Sequence, residues 1–199
     1  MTAIQEKTID CHGCAIHCLE CGVPQGTAVV LLHGMKFQAE TWQELGTLEA
    51  LADLQLRVVA LDMPGFGKSP ACNQQPIDVL SDVFTQLGLE RAVLIGPSMG
   101  GGIAMEFAIA QPQHIAGLVL VGAVGVEENR AGLGKITAPC LIVWGEDDQV
   151  SPLANSEILL NALPDAHREI VPKAPHPCYL AQPEHWHVLL QTFFTTRLP

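Results

Sequence analysis

Five consecutive residues, Gly96-Pro97-Ser98-Met99-Gly100, constrain this chain more than any other stretch. The apolar run Ala92-Val93-Leu94-Ile95 precedes them and reads as a buried parallel strand. Gly101 to Ala110 follows and reads as a helix that stops at Gln111-Pro112. Gly-x-Ser-x-Gly between a strand and a helix is the setting of a nucleophile elbow. The reason is steric: a serine at the tip of so tight a turn has a strained backbone, and the residues two away on each side must lack side chains. Gly96 and Gly100 meet that need, while Gly101 and Gly102 let the helix approach the sheet closely. The helix N-terminus beneath Ser98 favours developing negative charge.

At 199 residues the chain is long enough for a sizeable core and is expected to form a single domain over residues 1–199. Charged residues make up only 16%, which suits a sheet buried on both faces. The net charge of −11 disfavours a nucleic-acid partner. Met1 to Lys7 has no apolar signal-peptide core, so a cytoplasmic protein is expected. Ala92 to Ala110 is apolar enough to suggest a membrane span, but Pro97, Glu106 and its glycines argue against one.

Further short apolar runs at Thr27–Leu32, Leu56–Leu61, Ile115–Val124 and Cys140–Trp144 read as strands, and Arg168–Val171 as the last strand. Between them, Trp42, Leu45, Leu48 and Leu51 recur at near-helical spacing. Pro76 opens a helix with Ile77, Leu80, Phe84 and Leu87 as its buried stripe, ended by Gly88. Ser151-Pro152 starts another helix, to about Leu163, and Pro183 the last. Strands alternating with helices predict an α/β fold: a mostly parallel sheet with helices on both faces. Its sites should lie at the carboxyl ends of the strands.

Seven cysteines are present, and Cys11, Cys14, Cys18 and Cys21 read C-x2-C-x3-C-x2-C. Structural zinc sites separate their two pairs by a dozen or more residues, so this spacing predicts no metal. An N-terminal β-hairpin turning at His12-Gly13 accounts for the run, with Cys14, Ile16 and Cys18 on one face. Reduced thiols are expected throughout.

A serine hydroxyl becomes a useful nucleophile when a base takes its proton and a third group orients the base. His176, in the loop Ala174-Pro175-His176-Pro177 after the last strand, is the candidate base. His33, in His-Gly after a strand, reads as a support for the loop that follows it. Asp147 and Asp148 follow Trp144; the pattern Gly-x-x-Asp favours Asp148 as the acid. The order Ser98, Asp148, His176 is that of the α/β-hydrolase triad. The two oxyanion donors are expected to be the backbone N–H groups of Met99 and Met35.

His33-Gly34, Asp62-Met63-Pro64-Gly65-Phe66-Gly67-Lys68-Ser69, the Ser98 pentapeptide, Gly145-Glu146-Asp147-Asp148 and His176 together resemble the α/β-hydrolase superfamily. Within it, Leu31 to Trp42 and His176 to His187 are similar to the CIB-type group, the α/β-hydrolase-domain 14 proteins. The likeness covers about Thr27 to His187 and leaves the N-terminal cysteines outside. It implies a serine hydrolase of small acyl esters that needs no cofactor, with protein acyl-lysine deacylation and protein-partner binding as further themes. Larger members insert a helical cap after the sixth strand. Here only the thirteen residues Val126 to Ala138 separate Gly125 from Pro139, so no cap domain and an open, shallow cleft are expected. The substrate is then a small acyl ester or an acylated protein, and no membrane takes part. The competing reading is a hydrolase-fold interaction protein with vestigial chemistry. Lyases on this fold share the triad, whereas dehalogenases need a carboxylate where Ser98 stands.

Overall fold

The computed structural model describes residues 3–198. Its strands, in chain order, are β1 (Gln5–Cys11), β2 (Cys14–Gly22), β3 (Ala28–Leu31), β4 (Arg57–Leu61), β5 (Ala92–Pro97), β6 (Ile115–Val121), β7 (Cys140–Gly145) and β8 (Ala166–Val171). They form one sheet in the order β1-β2-β4-β3-β5-β6-β7-β8. The hairpin strands β1 and β2 pair antiparallel, and β2 adds antiparallel to β4; every other neighbouring pair is parallel. Chain order reverses around β3, which lies between β4 and β5. That switch is where a doubly wound sheet opens a crevice.

The helices are α1 (Ala39–Glu44), α2 (Thr47–Ala52), α3 (Pro76–Leu87), α4 (Met99–Ala110), α5 (Val126–Asn129), α6 (Leu153–Ala162), α7 (Cys178–Ala181) and α8 (Pro183–Thr196). Alternation along each strand assigns them to two faces. Val30, Leu94, Leu118 and Ile142 point into a core closed by α3, α4 and α6, through Leu80, Phe107 and Leu159. Their neighbours Val29, Val93, Val119 and Leu141 point into a second core, closed by Trp42, Leu48, Trp186 and Phe193 of α1, α2 and α8. With side chains alternating at period two, both faces of a strand must be apolar, hence the continuous apolar runs.

Several expectations need correction. The near-helical spacing of Trp42, Leu45, Leu48 and Leu51 is met by two short helices, α1 and α2, divided at Gly46 with φ 79°. In α3 the fully buried residues are Val79, Leu80, Val83 and Phe84, with Ile77 and Leu87 only packed at the margin. Strand β6 stops at Val121 rather than Val124, because Gly122 turns the chain at φ 50°. The connection after β6 holds only α5 and a 3-10 turn (Arg130–Lys135), so no cap domain is present.

The thiols differ most. Cys14 and Cys72 form a disulfide across 58 residues of sequence, contrary to the expectation that all thiols are reduced. No spacing rule relates the two; the fold alone brings the loop between β4 and α3 against the hairpin. Cys11 and Cys18 are free and buried on the same sheet face as Cys14, while Cys21 is buried on the other. A period-two hairpin thus splits the cysteine run between two cores. Among the described residues no cluster of three or more His, Cys, Asp or Glu is placed to hold a metal ion. No helix among them is long and apolar enough to cross a membrane.

Candidate active site

Ser98 stands between β5 and α4 with φ 50° and ψ −116°, a conformation that L-residues rarely adopt. The surroundings hold it there. Its N–H donates to Val121 O at 2.9 Å, and its own carbonyl accepts from Gly102 N (3.0 Å) and Val124 N (3.2 Å). A Cβ on residue 96 would lie 2.3 Å from the Gly100 backbone, and one on residue 100 would lie 2.7 Å from His33 O. Only glycine fits at either position.

The other predicted residues arrive from neighbouring strand ends. His176, in the loop after β8, donates from Nδ1 to Asp148 Oδ2 at 2.7 Å. Asp148 is buried in the loop after β7, and its Oδ1 accepts the N–H groups of Val150 and Ser151, both at 2.8 Å. Three donors therefore fix the carboxylate, which in turn fixes the ring. Asp147 is exposed and makes no hydrogen bond to the histidine among the described residues. His176 Nε2 is closed off from solvent and has no hydrogen-bond partner among the described residues. Ser98 and His176 line one cavity, but no hydrogen bond joins them. Such bonds commonly tighten only when substrate binds.

Met35 follows β3 and Met99 opens α4, and both residues line the cavity with Ser98. Neither N–H donates to another group among the described residues. His33 supports this loop, as its sequence context suggests. Its Nδ1–H donates to Gly34 O (2.7 Å), and its Nε2 accepts Met63 N–H (3.0 Å). That pattern needs a neutral ring, and burial duly pushes its pKa down. Asp62, one residue before Met63, accepts from Ala39 N–H, Lys68 N–H and His17 Nδ1–H at 2.6, 2.8 and 2.7 Å. The His17–Asp62 pair is structural: it ties the hairpin to the loops behind His33.

The cavity holds about 420 Å³ and is mostly apolar, walled by Met35, Phe37, Met99, Val124, Val150 and Pro177. With no cap domain present, loop side chains build its walls. Met35 and Val150 are 65% and 62% exposed, placing large apolar side chains on its rim.

Two contributors are not apparent from sequence alone. Gly122, buried after β6, lies so near the Asp148–His176 pair that a Cβ there would stand 3.0 Å from Asp148 Oδ2 and 3.1 Å from His176 Nδ1. Tyr179, on α7, lines the cavity although its apolar neighbours suggest a core residue.

The comparisons with known proteins agree with this architecture. Residues 27–131 match the family model described as alpha/beta hydrolase fold. The human protein ABHD14B, named as a candidate protein-lysine deacylase, is 37% identical over 201 residues, covering 95% of this chain and 94% of that protein. Mouse ABHD14A is 34% identical over 176 residues, covering 83% of this chain and 69% of that protein. A crystal structure from Thermoplasma acidophilum, described as a predicted CIB-like hydrolase, superposes with a TM-score of 0.93 at 27% identity, covering 97% and 98% of the two chains. This chain belongs to the α/β-hydrolase family and, within it, is similar to the CIB-like, ABHD14 group.

Proposed function

We propose that the protein is a serine hydrolase that cleaves small acyl esters, or acyl groups on protein side chains, through an acyl-Ser98 intermediate. One observation carries this reading: His176, whose Nε2 has no hydrogen-bond partner among the described residues, lines one cavity with a strained Ser98 while its Nδ1 is anchored to a triply bonded Asp148. In the first half-reaction His176 Nε2 takes the Ser98 hydroxyl proton as Oγ attacks the acyl carbonyl. The N–H groups of Met35 and Met99 receive the developing oxyanion. The carbonyl re-forms, the bond to the leaving group breaks, and His176 returns the proton to that group. In the second half-reaction water, deprotonated by His176, attacks the acyl-serine; the acid leaves and Ser98 regains its proton. Asp148 stabilises the imidazolium in each half without taking up the proton itself.

The exposed rim of Met35 and Val150 supports a leaving group that extends past the cavity, as an acylated protein side chain would. The deacylase name of the human relative points the same way. A cytoplasmic site of action fits the five free cysteines, while the Cys14–Cys72 bond weighs against it. The test is turnover of p-nitrophenyl esters from acetyl to dodecanoyl. Each CH₂ buried against the walls is worth about 0.8 kcal/mol, so kcat/KM should rise over the first few carbons and flatten once the chain outruns them. Mass spectrometry of acid-quenched protein should find the acyl adduct on Ser98. Absence of turnover on every ester, with no adduct, would favour the interaction-protein reading.

A further inference from the structure

Besides Ser98, Tyr179 is the only side chain lining the cavity, among the described residues, that carries a hydroxyl. It is held rigidly, with ring centroids 5.3 Å from Trp42 and 5.9 Å from Trp186, and is only 2% exposed. Trp186 is pinned in turn, its indole N–H donating to Thr47 Oγ1 at 3.2 Å. The Tyr179 hydroxyl makes no hydrogen bond to protein among the described residues. Nor is it sealed away, for the enclosed side-chain atoms lacking partners are His17 Nε2, Trp42 Nε1, Gln74 Oε1 and His176 Nε2. Of those four residues only His176 lines the cavity. The hydroxyl therefore stays accessible and unpartnered, and the cavity that Tyr179 lines is walled mainly by methionine, valine and proline.

We infer that Tyr179 is a specificity residue whose hydroxyl donates a hydrogen bond to a neutral oxygen, an ether or ketone, in the acyl part of the substrate. The acyl part is assigned because the walls enclose it while the leaving group faces solvent. Burial pushes the phenol above its ordinary range, so the group remains a donor at any working pH. An acyl chain without an acceptor strips water from this hydroxyl and returns nothing, whereas one with a suitably placed oxygen satisfies it. The favoured substrates are thus oxygenated short acyl esters or amides rather than plain alkanoyl ones. The inference rests on the hydrolase reading above.

Matched p-nitrophenyl esters in which an ether oxygen replaces a methylene test it: methoxyacetyl against butyryl, and 3-methoxypropionyl against pentanoyl. Each pair is compared between wild type and Tyr179→Phe, which keeps the ring and removes only the hydroxyl; taking the ratio cancels the intrinsic reactivity of the ether esters. In at least one pair the wild-type preference for oxygen should exceed that of the variant by about three- to tenfold, the size of one neutral hydrogen bond, with the change mainly in KM. Equal ratios in the two proteins overturn the inference. So does an equal fall in kcat on both members of a pair, which would assign the hydroxyl to the oxyanion or to packing. Failure of the hydrolase reading looks different, since then neither protein cleaves any ester. In that case NMR titration of Ser98→Ala protein with methoxyacetone and 2-pentanone decides. A preference for methoxyacetone that disappears in Ser98→Ala/Tyr179→Phe supports the assignment, and its absence overturns it.

Discussion

Asp148 Oδ2 lies 2.7 Å from His176 Nδ1, while the other Asp148 oxygen is held by two backbone N–H groups of its own loop. The histidine therefore has one tautomer open to it, with Nε2 left unpartnered among the described residues. Asp148→Asn would present an amide to Nδ1 and favour the other tautomer, so esterase kcat should fall about 10⁴-fold with the fold intact. Exposed Asp147→Asn should change kcat less than about twofold. Steady-state kinetics on acetyl esters with the two variants side by side is the check. If Asp147→Asn did the larger damage, the acid has been misassigned.

Gly122 supplies the space for that pair. A methyl group at this position meets both Asp148 and His176 at 3.0–3.2 Å, on a backbone at φ 50°. Gly122→Ala should displace the histidine and lower kcat roughly ten- to a hundredfold, while circular dichroism stays native. Activity equal to wild type would mean that the loop yields without disturbing the triad.

Much of this arrangement is legible in the sequence, and the exceptions share a cause. The Ser98 elbow can be read because its glycines, its strand and its helix are contiguous, so local sterics specify it. Asp148 and His176 can be read because each lies in the loop after a strand, β7 and β8, and the topology brings those strand ends together. Gly122 cannot: it sits just past a strand like many turn glycines, and its proximity to His176 is set by packing between β6, β7 and β8. Tyr179 hides for the same reason, being apolar in context and polar only at its tip. The two-helix break at Gly46 and the Cys14–Cys72 bond are likewise tertiary facts, one imposed by a positive φ and the other by two loops meeting.

The disulfide should be measurable in the oxidised protein. Denatured without reductant, it should show five reactive thiols rather than seven. A cross-link over 58 residues restricts the unfolded chain, so Cys72→Ser should lose about 2–4 kcal/mol and lower Tm by roughly 5–15 °C. Seven thiols, with a Tm indifferent to reductant, would contradict the bond.

Acid stability should depend on His33. Burial lowers its folded pKa, whereas in the unfolded chain the ring takes a proton near pH 6.5. Below that pH the unfolded state binds more protons, so stability present at neutral pH is lost as pH falls toward the folded value. Half-buried His187 is lowered in the same direction and adds to the slope. Urea midpoints between about pH 7.5 and 5 should decline less steeply in His33→Asn than in wild type. Parallel curves would remove His33 from the acid response.

The central claim is that Ser98 is an activated nucleophile and that His176 activates it. Fluorophosphonate labelling followed by peptide mass spectrometry addresses both at once. The account predicts a single adduct per chain on Ser98, none in Ser98→Ala, and a labelling rate at least about 10³-fold slower in His176→Ala. A wild-type protein that takes up no label, or takes it up equally fast without His176, would contradict it.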